Sequence, residues 1–265
     1  MPFTRTPAGA IASLCLALAA CGDRTEPEAA TGAEQETVTA EGKWGYEGAG
    51  SPENWGRLSE EYAACESGDN QSPINLAGGS LSQLPDPEFN YALQASEIKN
   101  LGHTVQVDVE PGSSMTVGGR KYDLAQFHFH TPSEHRLKGT EYPAELHFVH
   151  KGPGNELAVV GVFIKEGAEN QALSGFWNEL PRTKGEARKI ESGQLTAERL
   201  LPQKRQHYLY PGSLTTPPCS EGVNWMVLNE PISMSSQQIS ALRSVIGTSN
   251  RPVQPLGDRE LKLDR

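Results

Sequence analysis

Residues Gln126–His150, QFHFHTPSEHRLKGTEYPAELHFVH, decide how this chain is read, because they hold five of its seven histidines. Strand geometry sorts the first half. Side chains alternate between faces with a period of two, so Gln126, His128 and His130 point one way while Phe127 and Phe129 point the other as core. His128 and His130 then stand about 7 Å apart along the strand, close enough to lean toward one ion. On the next strand Glu145, His147 and Val149 share a face, and Phe148 and His150 share its reverse. Pairing as a hairpin around the loop 131–142 would bring His147 opposite the His-x-His pair.

Three neutral imidazoles with no fourth protein ligand are the donor set of a catalytic zinc, which keeps one position open for water. Thiolate-seeking metals would want cysteine, and Ca²⁺ or Mg²⁺ would want oxygen. Gln126 and Glu145 each sit one same-face step from a histidine. There they can accept the second ring N–H, which fixes the tautomer of a metal-bound imidazole.

Outward from this segment, strand-like alternation recurs over 104–109, 122–130, 145–150, 157–164 and 223–228. Helical patterns are short: 170–180, and a capping box at Ser235–Gln238 followed by Ile239, Leu242 and Ile246 on one face. The expected fold is β-dominated α+β, a single domain over 44–265 with a large, mostly antiparallel twisted sheet and a few short peripheral helices. Gly 27 and Pro 19 suit such a turn-rich architecture. A formal charge of −10 lacks the basic surface that a general nucleic-acid binder needs.

The N-terminus reads as a targeting segment. Arg5 precedes an apolar run from Ala10 to Ala20, too short to span a bilayer but suited to a signal peptide in residues 1–20. The run ends Leu18-Ala19-Ala20-Cys21, which resembles a bacterial lipobox, so Cys21 is expected to carry acyl chains. An ordinary signal peptide cut at the same small residues is the alternative. Residues 21–43 are poor in large apolar side chains and read as a flexible tether. The expectation is an exported protein, periplasmic or in the cell envelope, touching a membrane only through Cys21. In an exported chain the remaining pair, Cys65 and Cys219, suggests a disulfide, with two free thiols as the alternative.

Taken together, the motifs resemble the alpha class of carbonic anhydrases. The resemblance rests on Gln126-x-His128-x-His130, Ser133-Glu134-His135 and Ala144-Glu145-Leu146-His147-x-Val149-His150. It extends through Trp44-Gly45-Tyr46, Gln71-Ser72-Pro73-Ile74, Asn100-x-Gly102-His103, Tyr210 to Pro218, Trp225 and Arg251-Pro252-x-Gln254-Pro255-Leu256. It runs in colinear order over about 44–256.

The resemblance implies Zn²⁺ on His128, His130 and His147, and reversible hydration of CO₂ to bicarbonate by zinc-bound hydroxide. It implies Thr215 accepting from that hydroxide while donating to Glu134, and His103 as proton shuttle with Tyr46 ordering water. Val149, Val159, Leu214 and Trp225 would form the apolar wall for CO₂, with Thr216 beside bicarbonate. The cysteines match the disulfide of the family's secreted bacterial members. Position 101 departs from the usual Asn-Asn-Gly-His, being Leu, which weakens the expected water chain. His135 and His150 are expected to be structural, and His207 a surface or loop residue. Assembly is left open between monomer and homodimer. A cupin reading of His128-x-His130-x₃-Glu134 fails, because Tyr122 and Glu141 stand where its glycines belong.

Overall fold

A computed structural model of the protein describes residues 43–91, 96–190 and 197–265. The tether, Cys21 and the signal segment lie outside the described residues. The strands in chain order are β1 (Asn75–Leu76), β2 (Ser80–Ser82), β3 (Glu88–Asn90), β4 (Ser96–Asn100) and β5 (Val105–Asp108). Then come β6 (Ser114–Val117), β7 (Arg120–His130), β8 (Arg136–Leu137), β9 (Ala144–Lys151) and β10 (Leu157–Glu166). The last four are β11 (Ala187–Ile190), β12 (His207–Ser213), β13 (Glu221–Met234) and β14 (Lys262–Asp264).

One sheet runs in the order β11-β4-β5-β7-β9-β10-β13-β12-β14-β2, with β6 also on β7 and β3 on β6. Most pairings are antiparallel, as expected, but the long β10–β13 pair at the centre is parallel, as is β14–β2 at the edge. The sheet is therefore mixed. A separate pair, β1 with β8, anchors the 131–142 loop to the segment after Pro73.

The alternation in β7 and β9 sends their aromatic side chains to one face. Phe127, Phe129 and Phe148 are fully buried there, with Val160, Val162 and Leu228 from the neighbouring strands. Each such ring contributes roughly 2–3 kcal/mol by leaving water, which pins the register that points the histidines to the other face. On that other face a second cluster forms around Val159, Tyr208, Tyr210 and Trp225.

The capping box at Ser235 is present: its hydroxyl accepts from Gln238 N–H, and Gln238 returns a bond to the Ser235 amide. The helix it starts, Ser236–Ile246, buries Ile239, Leu242 and Ile246. The 170–180 expectation needs correction. That segment is a 3₁₀ turn, Gln171–Leu173, followed by a five-residue helix, Ser174–Asn178. Ser174-Gly175 inside the pattern is a weak helix former, and Leu180 precedes a proline, which disfavours helical backbone. His207 also differs from expectation. It opens β12, fully buried opposite Leu228, and gives its Nδ1–H to the Arg205 carbonyl at 2.8 Å.

Candidate metal centre

Register does most of the construction. β7 and β9 pair so that His128 faces His147, with Gln126 opposite Val149 and His130 opposite Glu145. The ring centroids of the three histidines lie 4.7–5.3 Å apart. One nitrogen from each falls within 4.8 Å of the others, a grouping that could hold a metal ion.

The other ring nitrogens are engaged. His128 gives Nδ1–H to Gln126 Oε1 at 2.8 Å, and His130 gives Nδ1–H to the Ser249 carbonyl at 2.5 Å. His147 Nε2 lies 3.0 Å from Glu145 Oε1. His130 Nε2 and His147 Nδ1 are buried with no hydrogen-bond partner, and His147 Nε2 is held near Glu145 by the 3.0 Å contact without an aligned hydrogen bond. Buried polar atoms are seldom left so. Two orphaned imidazole nitrogens converging with His128 fit a cation with nitrogen preference, so the donor set fits zinc. Burial holds all three imidazoles below their usual pKa, to about 4 for His130, so they are neutral and available as ligands at pH 7.

Glu145 ties the centre to its support. Burial alone would raise its pKa, but His135 and His147 beside it hold it well below the ordinary carboxylate value. Its Oε2 accepts the amides of Glu134 and His135 at 2.9 and 2.8 Å, and its Oε1 accepts His135 Nδ1–H at 2.8 Å. Gly161, opposite His147 on β10, leaves room for this carboxylate, since a Cβ there would sit 3.0 Å from Glu145 Oε1 and press on it. His135 passes the network on: its Nε2 lies 2.6 Å from the Tyr210 hydroxyl.

Glu134 is buried beside the ligands, with Oε2 3.5 Å from His130 Nε2. Its Oε1 accepts the Arg251 amide at 2.9 Å, and the Thr215 hydroxyl hydrogen-bonds to the same carboxylate. Burial pushes its pKa up to about 7, opposed by His147, the Arg251 amide and Thr215. A cation on the triad would favour the ionised form.

The apolar wall also follows from register. Val149 pairs with Val159 across β9–β10, and Val159 with Trp225 across β10–β13. Val149 and Leu214 pack against the cluster that holds Val159 and Trp225. Thr216 follows in the turn where Cys219 N–H closes on the Thr216 carbonyl at 2.9 Å. Cys65 and Cys219 form a disulfide. A separate cavity of about 430 Å³, lined by Met115, Tyr122, Leu209 and Met226, also touches Tyr210 and Trp225 but is lined by none of the triad histidines, Glu134 or Thr215.

The description "Eukaryotic-type carbonic anhydrase" matches residues 50–264. The chain belongs to that family. It is 44% identical to a carbonic anhydrase of Neisseria gonorrhoeae over 219 residues, covering 82% of this chain and 86% of the relative. It is 41% identical to one of Pectobacterium carotovorum over 217 residues, with 82% and 88% covered. The alpha-carbonic anhydrase of Thermovibrio ammonificans, solved with the inhibitor sulfanilamide, superposes with TM-score 0.81 at 43% identity. That match covers 84% of this chain and 99% of that one. The chain is thus a carbonic-anhydrase enzyme by family and fold.

The remaining candidates pack together around Trp44. The His103 ring lies tilted against Trp44 with centroids 4.5 Å apart, and Tyr46 is at 6.4 Å. Burial chiefly lowers its pKa, to about 4, with His130 and Lys184 adding to the effect. The Tyr46 hydroxyl is buried without a hydrogen-bond partner. Leu101, two residues before His103, is partly exposed. Two supports were not foreseen: the Ser249 carbonyl on His130 and the Arg251 amide on Glu134. Both are main-chain groups, so no side-chain motif could announce them.

Proposed function

We propose that the chain binds one zinc ion through His128 Nε2, His130 Nε2 and His147 Nδ1, and hydrates CO₂ reversibly to bicarbonate and a proton. The convergence of buried, unpartnered His130 and His147 nitrogens with His128 carries this reading. Zinc held there would be a Lewis acid that lowers the pKa of a water to about 7, giving hydroxide at neutral pH.

The protein's own groups do the rest. Gln126, Ser249 and Glu145 fix the ring orientations. Thr215 spends its proton on Glu134 and so presents only lone pairs toward the metal side. Val149, Val159, Leu214 and Trp225 give CO₂, which has no dipole, an apolar surface, and Thr216 stands beside the product. His103 carries the proton outward, with Tyr46 at its side.

Zinc content and CO₂ hydration measured together on the mature chain test this. One zinc per chain with hydration is expected, and stoichiometric zinc without hydration would overturn it. We further propose export, supported by the Cys65–Cys219 disulfide and the bacterial relatives, and acylation of Cys21, which rests on the lipobox-like Leu18-Ala19-Ala20-Cys21 alone. Mass spectrometry of the mature N-terminus should find a diacylated or triacylated Cys21; an unmodified N-terminus would refute the anchor.

A further inference from the structure

Arg251 is the least expected buried group in the domain. Its side chain is 2% exposed, yet its partners are neutral. Nη1 donates to Gln71 Oε1 and to the Ser72 carbonyl, both at 2.8 Å. Nη2 donates to the Cys65 carbonyl at 2.7 Å, and the guanidinium lies 5.8 Å over the Trp55 ring. Burying a cation with no carboxylate in direct contact, and with Glu134 acting on it only through space, is costly even when its protons are satisfied, so packing alone is a poor reason for arginine here.

The same residue reaches both ends of the Thr215–Glu134 pair. Its main-chain N–H donates to Glu134 Oε1 at 2.9 Å. Its guanidinium holds Gln71, whose Nε2 donates to the Cys219 carbonyl at 3.1 Å and to Glu221 Oε1 at 3.0 Å. Cys219 in turn closes the turn that presents Thr215: its N–H meets the Thr216 carbonyl at 2.9 Å, and Leu214 N–H meets the Ser220 carbonyl at 3.0 Å. The acceptor carboxylate and the donor's turn are thus referenced to one residue, the carboxylate through its main-chain N–H and the turn through its guanidinium.

We propose that Arg251, relayed through Gln71, is a positioning residue that sets the register of Thr215 against Glu134. This rests on the roles proposed above for that pair. A planar guanidinium serves these three acceptors from two nitrogens held in a fixed fork; a lysine ammonium keeps the charge and three donors but radiates them from one nitrogen without the fork. A shift of a fraction of an ångström at Thr215 would turn its lone pairs away from the metal side. Such misplacements cost rate rather than substrate binding.

The test uses the full zinc-loaded chain and the variants Gln71→Met, Gln71→Glu and Arg251→Lys. Met conserves volume and removes both relay bonds. Glu keeps the acceptor for Arg251 but loses the donor to Cys219. Steady-state CO₂ hydration, zinc per chain and amide hydrogen exchange at Cys219 and Arg251 are read for each. Gln71→Met and Arg251→Lys are expected to lower kcat about 10- to 100-fold, with KM and zinc content unchanged and exchange faster at Cys219. Gln71→Glu should behave like Gln71→Met. Unchanged kcat in Gln71→Met despite faster exchange would overturn the proposal, as would a kcat loss matched by zinc loss. Should Arg251→Lys fail to fold, the Gln71 pair still decides. If the unsubstituted zinc-loaded chain does not hydrate CO₂, the site reading fails separately; the exchange difference between it and Gln71→Met then decides the clamp, with no difference refuting it.

Discussion

His135 and His150 are buried with both ring nitrogens engaged, whereas His130 and His147 are buried with one nitrogen each left over. His135 bonds Glu145 and the Tyr210 hydroxyl; His150 meets the Tyr91 hydroxyl at 2.8 Å and the Ala158 carbonyl at 3.3 Å. All four side chains are almost wholly hidden from solvent. Burial therefore does not separate the proposed ligands from the other histidines, and neither does an unpartnered nitrogen by itself, since His207 also keeps a buried Nε2 without a partner; what sets the triad apart is that its open nitrogens converge. Fully satisfied imidazoles stiffen the frame, and those left open on one face define where a cation belongs.

The sharpest way to break that contrast is to remove one residue of each kind. His130→Ala is expected to abolish stoichiometric zinc binding. Its activity should fall by more than the roughly 10- to 100-fold typical of losing an outer partner. His150→Phe is expected to keep one zinc per chain while losing about 1–3 kcal/mol of stability, because the Tyr91 hydroxyl and the Ala158 carbonyl lose their partner. Metal analysis and urea unfolding read the two outcomes. Zinc loss in His150→Phe would show that the accounting does not discriminate.

Acid titration sharpens the same contrast with a smaller effect. Burial lowers the His150 pKa to about 4 in the folded chain, against about 6.5 when unfolded. The unfolded chain then takes up its proton first, so the contribution is fully present above pH 6.5 and is lost as pH falls toward 4. It amounts to something on the order of 3 kcal/mol. The triad histidines are lowered in the same direction, but zinc competes with their protons. Urea midpoints between pH 7 and 4.5 should fall in both metal-free and zinc-loaded chains, with the His150 share independent of zinc. A slope unchanged by His150→Phe would refute the assignment.

Much of this was legible in the residues because period-two alternation is a strong signal where one face must bury phenylalanine. Gln126, His128 and His130 against Phe127 and Phe129 fixed face and register together, and with them the meeting of His147 and His128. β12 was harder. Pro211-Gly212 within it reads as a turn, yet Gly212 pairs with Val223 in the sheet. His207 was misplaced for the same reason, since a strand that is not recognised cannot bury its first residue. The parallel β10–β13 contact is a long-range choice that no local pattern encodes. Arginine is usually exposed, and only the partners of Arg251 explain its burial.

The smallest expected effect concerns His103, which belongs to neither class. It packs tilted against Trp44 and is held at about pKa 4, chiefly by burial, then by His130 and Lys184. A carrier that weakly basic accepts a proton reluctantly from a group with pKa near 7, because efficient transfer wants matched pKa values. Leu101 adds no polar atom to help order a water chain in that corner. His103→Ala is therefore expected to lower kcat about tenfold or less, beneath the roughly 10²–10⁴ of a well-matched acid–base group, and to leave kcat/KM unchanged. Imidazole buffer should raise the kcat of the unsubstituted chain as well as the variant, since both then use a carrier of nearly neutral pKa. A loss of 100-fold or more that imidazole restores only in the variant would show that His103 moves into water during turnover, where its pKa returns toward 6.5 and its packing against Trp44 is only one of its resting positions.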